Sequence, residues 1–308
     1  MSELGSGTFN VTALEGALQS LPIKKRIVLS DPVLNSWPQY GSMHNTVEIP
    51  YTTSDAYSTG WISNAASTGW SGESSIIMSS HTVTILPVKK ELGIFKKLLE
   101  AKHAFIGMNL NSPDSIDPYE TLIEDTFLTD VKKLYVVDNF QGTNSSTSTN
   151  GLLNQFTAST GTRIETTTSY TASTSLATID DLVDEFADKI SEDMSSQDLV
   201  LYMSKSNFDL YVRKLKNIGN RYMNPDAKAN TIKYEGGTNF TIQGTQGLTG
   251  TDKMFLANPN NLGVAFRTPS IKSPVEMDYD FNSQEIRIRV AMDFVPVHGD
   301  ITQIICNF

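Results

Sequence analysis

The sequence predicts a chain of mixed helix and strand, of the α+β class. Apolar and polar residues alternate over 44–53 and again over 81–86, which is the period of a β-strand. Apolar residues recur at helical spacing over 118–141. Further runs with strand character follow near the C-terminus, at 253–256, 263–267, 285–294 and 301–308. The 308 residues are enough for one large domain or two smaller ones with a substantial core.

Residues 1–40 predict an extended N-terminal arm that contains one short helix. Three leucines at helical spacing give the helix signal, and three prolines interrupt the segment. These residues are Leu14, Leu18, Leu21, Pro22, Pro32 and Pro38. We therefore expect an arm that is not part of the core.

Residues 41–88 predict one long hairpin with a polar tip. Its strands are the first two alternating runs, in which Val47, Ile49 and Tyr51 share one side. The sequence from residue 51 to 81 is rich in Ser, Thr, Gly and Asn and contains no Lys, Arg or Pro. It repeats Ser-Thr-Gly-Trp, so that Trp61 and Trp70 stand nine residues apart. Two large aromatic rings in so polar a segment need a surface on which to pack.

A short helix is predicted directly after the hairpin. Leu92, Phe95, Leu98 and Leu99 form an apolar stripe in a segment that also contains two pairs of lysines. Their spacing is that of one helix face. We therefore expect the chain to leave the hairpin as a helix.

The helix predicted over 118–141 has the clearest end signals in the sequence. Asp117 is a good N-cap, Pro118 suits the first helical position, and Glu120 completes a capping box. Gly142 ends the helix. About 24 residues at 1.5 Å each make a rod of roughly 36 Å, whereas an average helix has about 11 to 12 residues. The predicted core residues of this helix are Leu122, Ile123, Phe127, Val131 and Leu134, and Tyr135 shares their helical spacing.

The middle of the chain predicts a helix, a strand and a second helix. The polar residues that can cap them are Thr178 and Asp181 for the first helix and Ser206 and Asp209 for the second. The apolar run over 198–203 between the helices is typical of a buried strand. Residues 219–250 are rich in Gly, Asn and Thr and predict an irregular excursion on the surface.

The charge of the chain argues against nucleic-acid recognition. The formal net charge is −10, from 34 acidic and 24 basic residues. Tight binding to nucleic acid needs clustered basic surface that displaces counterions from phosphates. The short basic groups in this sequence are typical of solvated helix faces, so we expect no sequence-specific DNA or RNA binder. No apolar run approaches the roughly 20 residues that span a bilayer, and we expect no signal peptide.

No pattern of catalytic or metal-binding residues stands out in the sequence. Among His44, His81, His103 and His298, none is paired with another His or a Cys at metal-ligand spacing. Nucleotide-binding glycine motifs and Gly-x-Ser-x-Gly are also missing. The single Cys306 cannot form an internal disulfide, which fits a reducing cytoplasm, and its apolar surroundings are typical of a small core residue. We therefore expect a protein that is not an enzyme and has no cofactor or metal.

Three segments, taken in order, resemble a known protein plan. They are SIDPYETLIEDTFLTDVKKLYVVDNFQG continuing to GLL (115–153), TIDDLVDEFADKI continuing to RYM (178–223), and DKMFLANPNNLGVAFR followed by QEIRIRVAMDFVPVHGD (252–300). In this order they resemble the spine helix, the axial domain and the closing strands of the major capsid proteins of tailed bacteriophages. Those proteins share the Hong Kong 97-type fold with encapsulins. The turns at 215–219 and 259–262 also resemble turns of that family.

The resemblance implies a fold with an N-terminal arm, an extended β-hairpin loop, a peripheral domain with a long spine helix, and an axial domain. The implied limits are 1–40 for the arm, 41–88 for the extended loop, 89–154 for the peripheral domain with the spine helix, 155–265 for the axial domain, 266–300 for the return strands of the peripheral domain, and 301–308 for a final axial strand.

The function that the resemblance implies is structural. It is that of a major capsid protein, which self-assembles as hexamers and pentamers into the icosahedral head shell around double-stranded DNA. A location in the virion, assembly in the host cytoplasm and a portal partner are also implied, with no sequence-specific DNA contact, no membrane and no cofactor. Two alternatives stay open. One is an encapsulin-type nanocompartment shell, and the other is a surface adhesin or fibre protein, which the Ser/Thr-rich β content suggests and which needs an export signal.

The sequence departs from the family in two places. Some relatives cross-link an extended-loop lysine to an asparagine of a neighbour, but no lysine occurs here between Lys25 and Lys89. Many relatives carry a long, removable N-terminal scaffolding segment, whereas the arm begins here almost at Met1. The resemblance therefore implies a separate scaffolding protein or none.

The family plan gives the repeated tryptophans a role. An extended loop that leaves the body cannot bury its own rings, because an isolated hairpin is only marginally stable. We therefore predict that the loop tip packs on another subunit, a role for which Trp is enriched. The predicted interface residues are Trp61, Trp70, Ile62 and Tyr57. The alternative is that both rings fold back on the chain's own surface.

Overall fold

The computed structural model describes most of the chain. The described residues are 23–54, 76–95, 118–159, 164–166, 170–171, 173–189, 198–218, 230–234, 240–272, 276–280, 282–283 and 285–308. Two large sheets and two two-stranded ribbons organise these residues.

The helices and strands of the described residues follow one another in a fixed order. They are α1 (Ile23–Val28), α2 (Pro32–Ser36), β1 (Gln39–Ser42), β2 (Thr46–Ser54), β3 (Ile76–Thr84), β4 (Leu86–Phe95), α3 (Pro118–Gln141), β5 (Thr143–Ser145), β6 (Ser148–Asn150), α4 (Leu152–Ala158), β7 (Ile164–Thr166), α5 (Ser175–Lys189), β8 (Leu199–Ser204), α6 (Lys205–Ile218), β9 (Thr231–Lys233), β10 (Phe240–Thr245), β11 (Met254–Ala257), β12 (Leu262–Arg267), α7 (Thr268–Lys272), β13 (Glu276–Asp280), β14 (Glu285–His298) and β15 (Ile305–Asn307). Helix and strand alternate irregularly along the chain, as the predicted α+β class requires.

The first large sheet has five strands and is built around β14. This strand pairs with β4 along one edge, and with β13 and then β12 along the other, all antiparallel. β1 adds to β12 in parallel. Successive side chains of a strand point to opposite faces of the sheet. Ile288, Val290, Met292 and Phe294 therefore face the long helix α3, while Val295 and Val297 face the hairpin.

The hairpin predicted from the first two alternating runs is confirmed. β2 and β3 pair antiparallel, from Thr46 opposite Thr84 to Ser54 opposite Ile76. Val47 and Ile49 of β2 and Val83 of β3 lie on one side and are buried. The period-two pattern therefore identified both the strands and the face that they bury.

The short helix predicted from Leu92 onward is wrong where the structure describes it. Leu92 and Phe95 belong to β4, which pairs with β14 over its whole length. These residues have helical spacing, but as a strand they gain a full ladder of backbone hydrogen bonds with β14. Such tertiary pairing overrides a weak local preference for helix. Leu98 and Leu99 lie outside the described residues.

The long helix is confirmed as α3, with 24 residues. The amide of Gly142 donates to the carbonyl of Asp138 at 3.0 Å and closes its last turn. Phe127, Val131 and Tyr135 are buried in the largest core cluster. Leu122 and Ile123 belong to the helix, and their place in the core stays a prediction.

Leu134 was predicted in the same core, and this prediction is wrong. Its side chain is 42% exposed. The buried stripe of α3 is centred on Leu128, Tyr135 and Asn139, and Leu134 lies about 100° before Tyr135 around the helix. This rotation puts Leu134 at the edge of the stripe, beside β4.

Phe127→Ala should destabilise the subunit by about 3 to 5 kcal/mol, because it leaves a cavity in a packed core where the ring is 4% exposed. Urea unfolding of the unassembled subunit measures the loss. Leu134→Ala, on the same helix but at the exposed edge, is the control and should cost much less. Equal midpoints for the Phe127 variant and wild type would contradict this placement of α3.

α3 leaves its last turn through a tight ribbon formed by β5 and β6. The amide of Gly151 donates to the carbonyl of Gly142 at 3.0 Å, which brings the two ends of the ribbon together. A Cβ atom on Gly151 would lie 2.2 Å from the amide nitrogen of Gly142, so no side chain fits there. The Thr149 hydroxyl donates to the carbonyl of Phe294 at 2.7 Å and fixes the ribbon on β14.

The second large sheet has six strands in the order β7-β15-β11-β8-β10-β9. The run predicted as a buried strand is β8, which lies near the centre and pairs with β10 in parallel and β11 antiparallel. Helices α5 and α6 cover one face, where Ile179 and Phe208 are buried. The other face, which carries Tyr202, Phe255 and Cys306, joins the core under α3.

Both helices on this sheet begin earlier than predicted. α5 begins at Ser175 and α6 at Lys205, so Thr178, Asp181, Ser206 and Asp209 lie inside helices. The observed cap of α6 is Ser204, whose Oγ accepts from the amide of Asn207 at 3.2 Å. Ser204 is also the last residue of β8. The sequence contains several residues that can cap, and the end of the buried strand decides which one does.

The surface excursion predicted over 219–250 is wrong for the residues that the structure describes. Residues of this segment form β9 and β10, and β10 pairs with β8 in the middle of the sheet. The buried apolar residues of its described part are Ile232, Phe240, Ile242 and Leu248. Gly and Thr residues stand among these apolar positions. Because such residues are also common in loops, the alternation of a strand is difficult to recognise here from the sequence.

Residues 23–40 contribute several buried side chains to the core, so the prediction of an arm outside it is wrong for this part. Ile27 is fully buried in α1, and Trp37, just after α2, is 2% exposed. Pro32 does not interrupt the chain, because it stands at the start of α2. The carboxylate of Asp31 caps this helix and accepts from the amides of the second and third residues after it. Residues 1–22 lie outside the described part.

The implied domain limits stay predictions. β12 spans the implied limit at residue 265, and all of its pairings lie in the five-stranded sheet. β15 lies within the segment 301–308 and pairs with β11 and β7 in the six-stranded sheet.

Candidate assembly surface

The base of the hairpin rests on the five-stranded sheet through a small apolar cluster. The residues of this cluster are Val47, Ile49, Val83 and Ile85 from the hairpin side, and Ala265, Val295 and Val297 from β12 and β14. All of them are buried. The cluster is separate from the two larger cores, so the docking of the hairpin depends on few side chains.

Two histidine rings stack beside this cluster. His81 lies opposite Ile49 in the hairpin, and His298 ends β14. Their ring centroids are 4.0 Å apart and their planes differ by 27°. His298 is 2% exposed, and its Nδ1 lies 3.0 Å from the carbonyl oxygen of Gly299. A carbonyl only accepts, so Nδ1–H of His298 donates this hydrogen bond.

Burial holds both imidazoles in the uncharged form. Desolvation, together with a smaller effect of the neighbouring His81, lowers the pKa of His298 to about 4. The carbonyl of Gly299 and the carboxylate of Asp300 act in the opposite direction. Desolvation also lowers the pKa of His81, against the effect of the Gln155 side chain. Near neutral pH the pair is therefore uncharged.

Gln155 of α4 fixes the surroundings of the pair. Its side-chain Nε2 donates to the carbonyls of Asn150 and Pro296, both at 2.7 Å. Oε1 of Gln155 and Nε2 of each histidine have no hydrogen-bond partner among the described residues. Unpaired buried polar atoms are uncommon in native proteins, and here they lie where His81 of the hairpin meets His298 and Gln155 of the body.

A groove of about 290 Å³ lies between α3, β4 and β14. Its floor includes Val131, Val290 and Met292, and Leu134 is exposed at its edge. The neighbouring Lys89 gives it a basic rim, although an ion pair with Glu91 partly neutralises that charge. The groove is apolar inside and open, which suits an apolar chain segment.

The described residues contain no group of three or more His, Cys, Asp or Glu placed to hold a metal ion. Cys306 is fully buried in β15, where the sequence predicted a small core residue. None of the described helices has the length and apolar character needed to cross a membrane.

The predicted interface residues Trp61, Trp70, Ile62 and Tyr57 lie outside the described residues. Their role therefore stays a prediction. The sequence did not reveal the pair formed by His81 and His298, because 217 positions separate its members. The only signal is that His81 shares the buried side of its strand with Val83 two residues later.

The sequence matches no protein-family model and no curated protein. Its structure is nevertheless similar to solved capsids. The procapsid of satellite phage P4, which includes the size determination protein, has a TM-score of 0.61 at 13% identity and covers 98% of this chain and 93% of that chain. The capsid of cyanophage A-1(L) has a TM-score of 0.54 at 14% identity, over 98% and 96% of the two chains. The chain has the Hong Kong 97-type capsid fold.

A Hong Kong 97-type fold also relates this chain to a virus-like particle from Pyrococcus furiosus. The TM-score is 0.51 at 10% identity, over 95% of this chain and 98% of that chain. The long helix and the hairpin stand where the sequence resemblance placed them, in α3 and in β2 with β3. The Hong Kong 97-type fold was therefore predictable from the order of its elements, at an identity too low for a sequence match.

Proposed function

We propose that this chain is the major capsid protein of a tailed phage and assembles into the icosahedral head shell that encloses double-stranded DNA. The observation that carries the proposal is the fold itself, which is shared over 98% of the chain with the P4 procapsid structure. A shell protein of this kind acts by contact between copies and not by catalysis, so we also propose that it is neither an enzyme nor bound to a cofactor.

Exposed apolar side chains support assembly with further copies of the chain. Met43 is 68% exposed, Phe95 56% and Leu134 42%. Leu134 borders the apolar groove on α3. Exposed apolar surface of this kind is typical of contact sites between proteins. In the proposed shell a second copy covers it, within hexamers and pentamers.

The hairpin supports the same proposal. Its base is fixed on the five-stranded sheet, and its sequence continues into the segment with Trp61 and Trp70. We propose that Trp61, Trp70, Ile62 and Tyr57 pack on a neighbouring subunit in the shell. A net charge of −10 suits a wall that encloses DNA without reading its sequence.

The proposed location is the virion, with assembly in the host cytoplasm. A portal protein and a separate scaffolding protein are the expected partners. We propose no membrane partner for the shell.

An encapsulin-type shell is the second candidate, because the Pyrococcus furiosus virus-like particle has a similar fold. The nucleic-acid content of purified particles separates the two, since a phage head holds a genome and a nanocompartment holds protein cargo. The capsid fold gives no support to the adhesin or fibre alternative.

Electron microscopy of the purified protein tests the proposal. We expect closed icosahedral shells, formed by the chain alone or after addition of its scaffolding protein. Subunits that stay dispersed in both conditions would contradict a shell function.

The shell should contain no covalent cross-links from the extended loop. Such a cross-link needs a loop lysine, and residues 26–88 contain none. Particles boiled in denaturant should therefore run as a single band at the position of the monomer. A ladder of multimers on the gel would show that another residue supplies the bond.

A further inference from the structure

Among the described residues, the base of the hairpin meets the body through a small apolar cluster and a stacked pair of histidines. Val47, Ile49 and Val83 supply the apolar part of this contact. The polar part is the stack of His81 on His298. Residues on the other side of the hairpin, such as Glu48 and Thr82, are exposed. The charge of two rings therefore acts directly on the docking of the whole hairpin.

We propose that His81 and His298 form an acid-sensitive latch at the base of the hairpin. While both rings are uncharged, they stack and hold the hairpin on the five-stranded sheet. When acid protonates them, two positive charges face each other at stacking distance and the hairpin is released from the sheet.

The groups around the pair do not neutralise such charges. The carboxylate of Asp300 lies closest in sequence to His298 and favours its charged form, but desolvation of the ring outweighs this effect, and the carboxylate also accepts from the amide and the hydroxyl of Thr302 at 2.9 and 2.7 Å. From α4, Phe156 presents an aromatic ring to His298, at 5.6 Å between centroids, and Gln155 presents an uncharged amide. In the described part of the chain neither ring forms an ion pair with a carboxylate.

Glu48 of β2 is the acidic side chain of the hairpin base, and it cannot serve either. It belongs to the opposite face of the hairpin, where the Ser80 hydroxyl donates to its carboxylate. Apart from Asp300, the groups named beside the two rings are therefore apolar or uncharged. Protonation of the docked pair therefore gains little compensation.

The direction of the pH effect follows from proton binding. In the released form His81 meets water and His298 loses the ring that covers it, so the pKa of each should rise toward the ordinary imidazole value of about 6.5. In the docked form the pKa of His298 is about 4. The released form therefore binds more protons than the docked form mainly between about pH 4 and pH 6.5. Docking is strongest above about pH 6.5, weakens as the pH falls, and reaches its lowest strength below about pH 4.

The size of the effect follows from the same two pKa values. For His298 alone, docking should weaken about 30-fold between pH 7.5 and pH 5. His81 adds to this in the same direction, because burial lowers its pKa as well. An isolated two-stranded hairpin is only marginally stable, so release should also open the hydrogen bonds between β2 and β3.

Hydrogen exchange on unassembled subunits tests the latch. Protection factors, which remove the intrinsic pH dependence of exchange, are measured at pH 7.5 and pH 5. We expect protection of β2 and β3 to fall about 30-fold or more, while β8 in the six-stranded sheet keeps its protection. Equal protection of the hairpin at both pH values would overturn the proposal, and so would an equal loss in β8, which indicates general unfolding.

Variants that keep an aromatic ring but cannot be protonated test whether His81 and His298 cause the loss of protection at pH 5. His81→Phe should shrink the loss of protection severalfold, and His81→Phe with His298→Phe should abolish it. His44→Gln is the matched control, since His44 is exposed just before β2 and should leave the loss unchanged. If the double variant does not fold, the single variant His81→Phe is the test, because His81 is the less buried ring. A loss of protection in His81→Phe equal to that of wild type would overturn the proposal. The subunits stay unassembled throughout, so the result does not depend on shell formation.

Discussion

Trp37→Ala should destabilise the subunit more than Phe127→Ala. The cavity left by the indole should cost about 3 to 5 kcal/mol. The Tyr202 hydroxyl loses its partner inside the core, which should cost about 1 to 3 kcal/mol more. Urea unfolding of the unassembled subunit, followed by circular dichroism, measures the sum as a fall in midpoint.

The contacts of Trp37 explain so large an effect. Its Nε1–H donates to the Tyr202 hydroxyl at 2.9 Å, and the two rings meet edge to face at 5.7 Å between centroids. The ring also lies 5.2 Å from Phe140 at the end of α3. Burial raises the pKa of Tyr202 well above its usual range, so the hydroxyl keeps its proton. One side chain thus joins the N-terminal segment, the long helix and the six-stranded sheet.

Two further variants separate packing from hydrogen bonding. Trp37→Phe keeps an aromatic ring but loses the donor, so it should cost mainly the hydrogen-bond share, about 1 to 3 kcal/mol. Leu29→Ala removes a leucine from the same segment that is 46% exposed, and it should change the midpoint little. A Trp37→Ala variant as stable as Leu29→Ala would show that the N-terminal segment is not part of the core.

The sequence predicted the elements whose signals are local. The alternation around Val47 and Ile49 predicted both the strand β2 and its buried face. In a strand every second side chain points to the same face, so the alternating residues that reveal the strand also mark the face that is buried. The long helix carried its own start and stop signals at Pro118 and Gly142. Such signals depend on neighbouring residues only, and tertiary contacts do not override them here.

The errors have a common physical cause, which is contact between distant segments. Residues 23–40 were expected outside the core because prolines punctuate them, yet Trp37 is buried by a tyrosine 165 positions away. β10 was expected to be irregular, yet pairing with β8 makes it a central strand. The His81–His298 stack arises in the same way. The composition of a segment does not show which distant segment packs against it in the folded chain.

Changing both repeat tryptophans, with Trp61→Ala and Trp70→Ala together, should block or strongly weaken shell formation and leave the subunit folded. Each ring could remove on the order of 150 to 250 Å² from water on a neighbour. At about 25 cal/mol per Å², that is roughly 4 to 6 kcal/mol for each ring before ordering costs. Fixing the loop tip consumes part of this, but a closed shell repeats the contact in every subunit.

The test compares the melting temperature of the unassembled subunit with particle yield in the same preparation. Ser58→Ala with Ser67→Ala is the matched control, because it changes both copies of the Ser-Thr-Gly-Trp repeat and keeps both rings. We expect the tryptophan variant to melt like wild type and to give few particles, while the serine variant assembles normally. If the rings pack on their own subunit, melting temperature and yield should fall together. Normal particles from the tryptophan variant would exclude an anchoring role for the two rings. The docked base of the hairpin would then have to position the loop in the shell without help from Trp61 and Trp70.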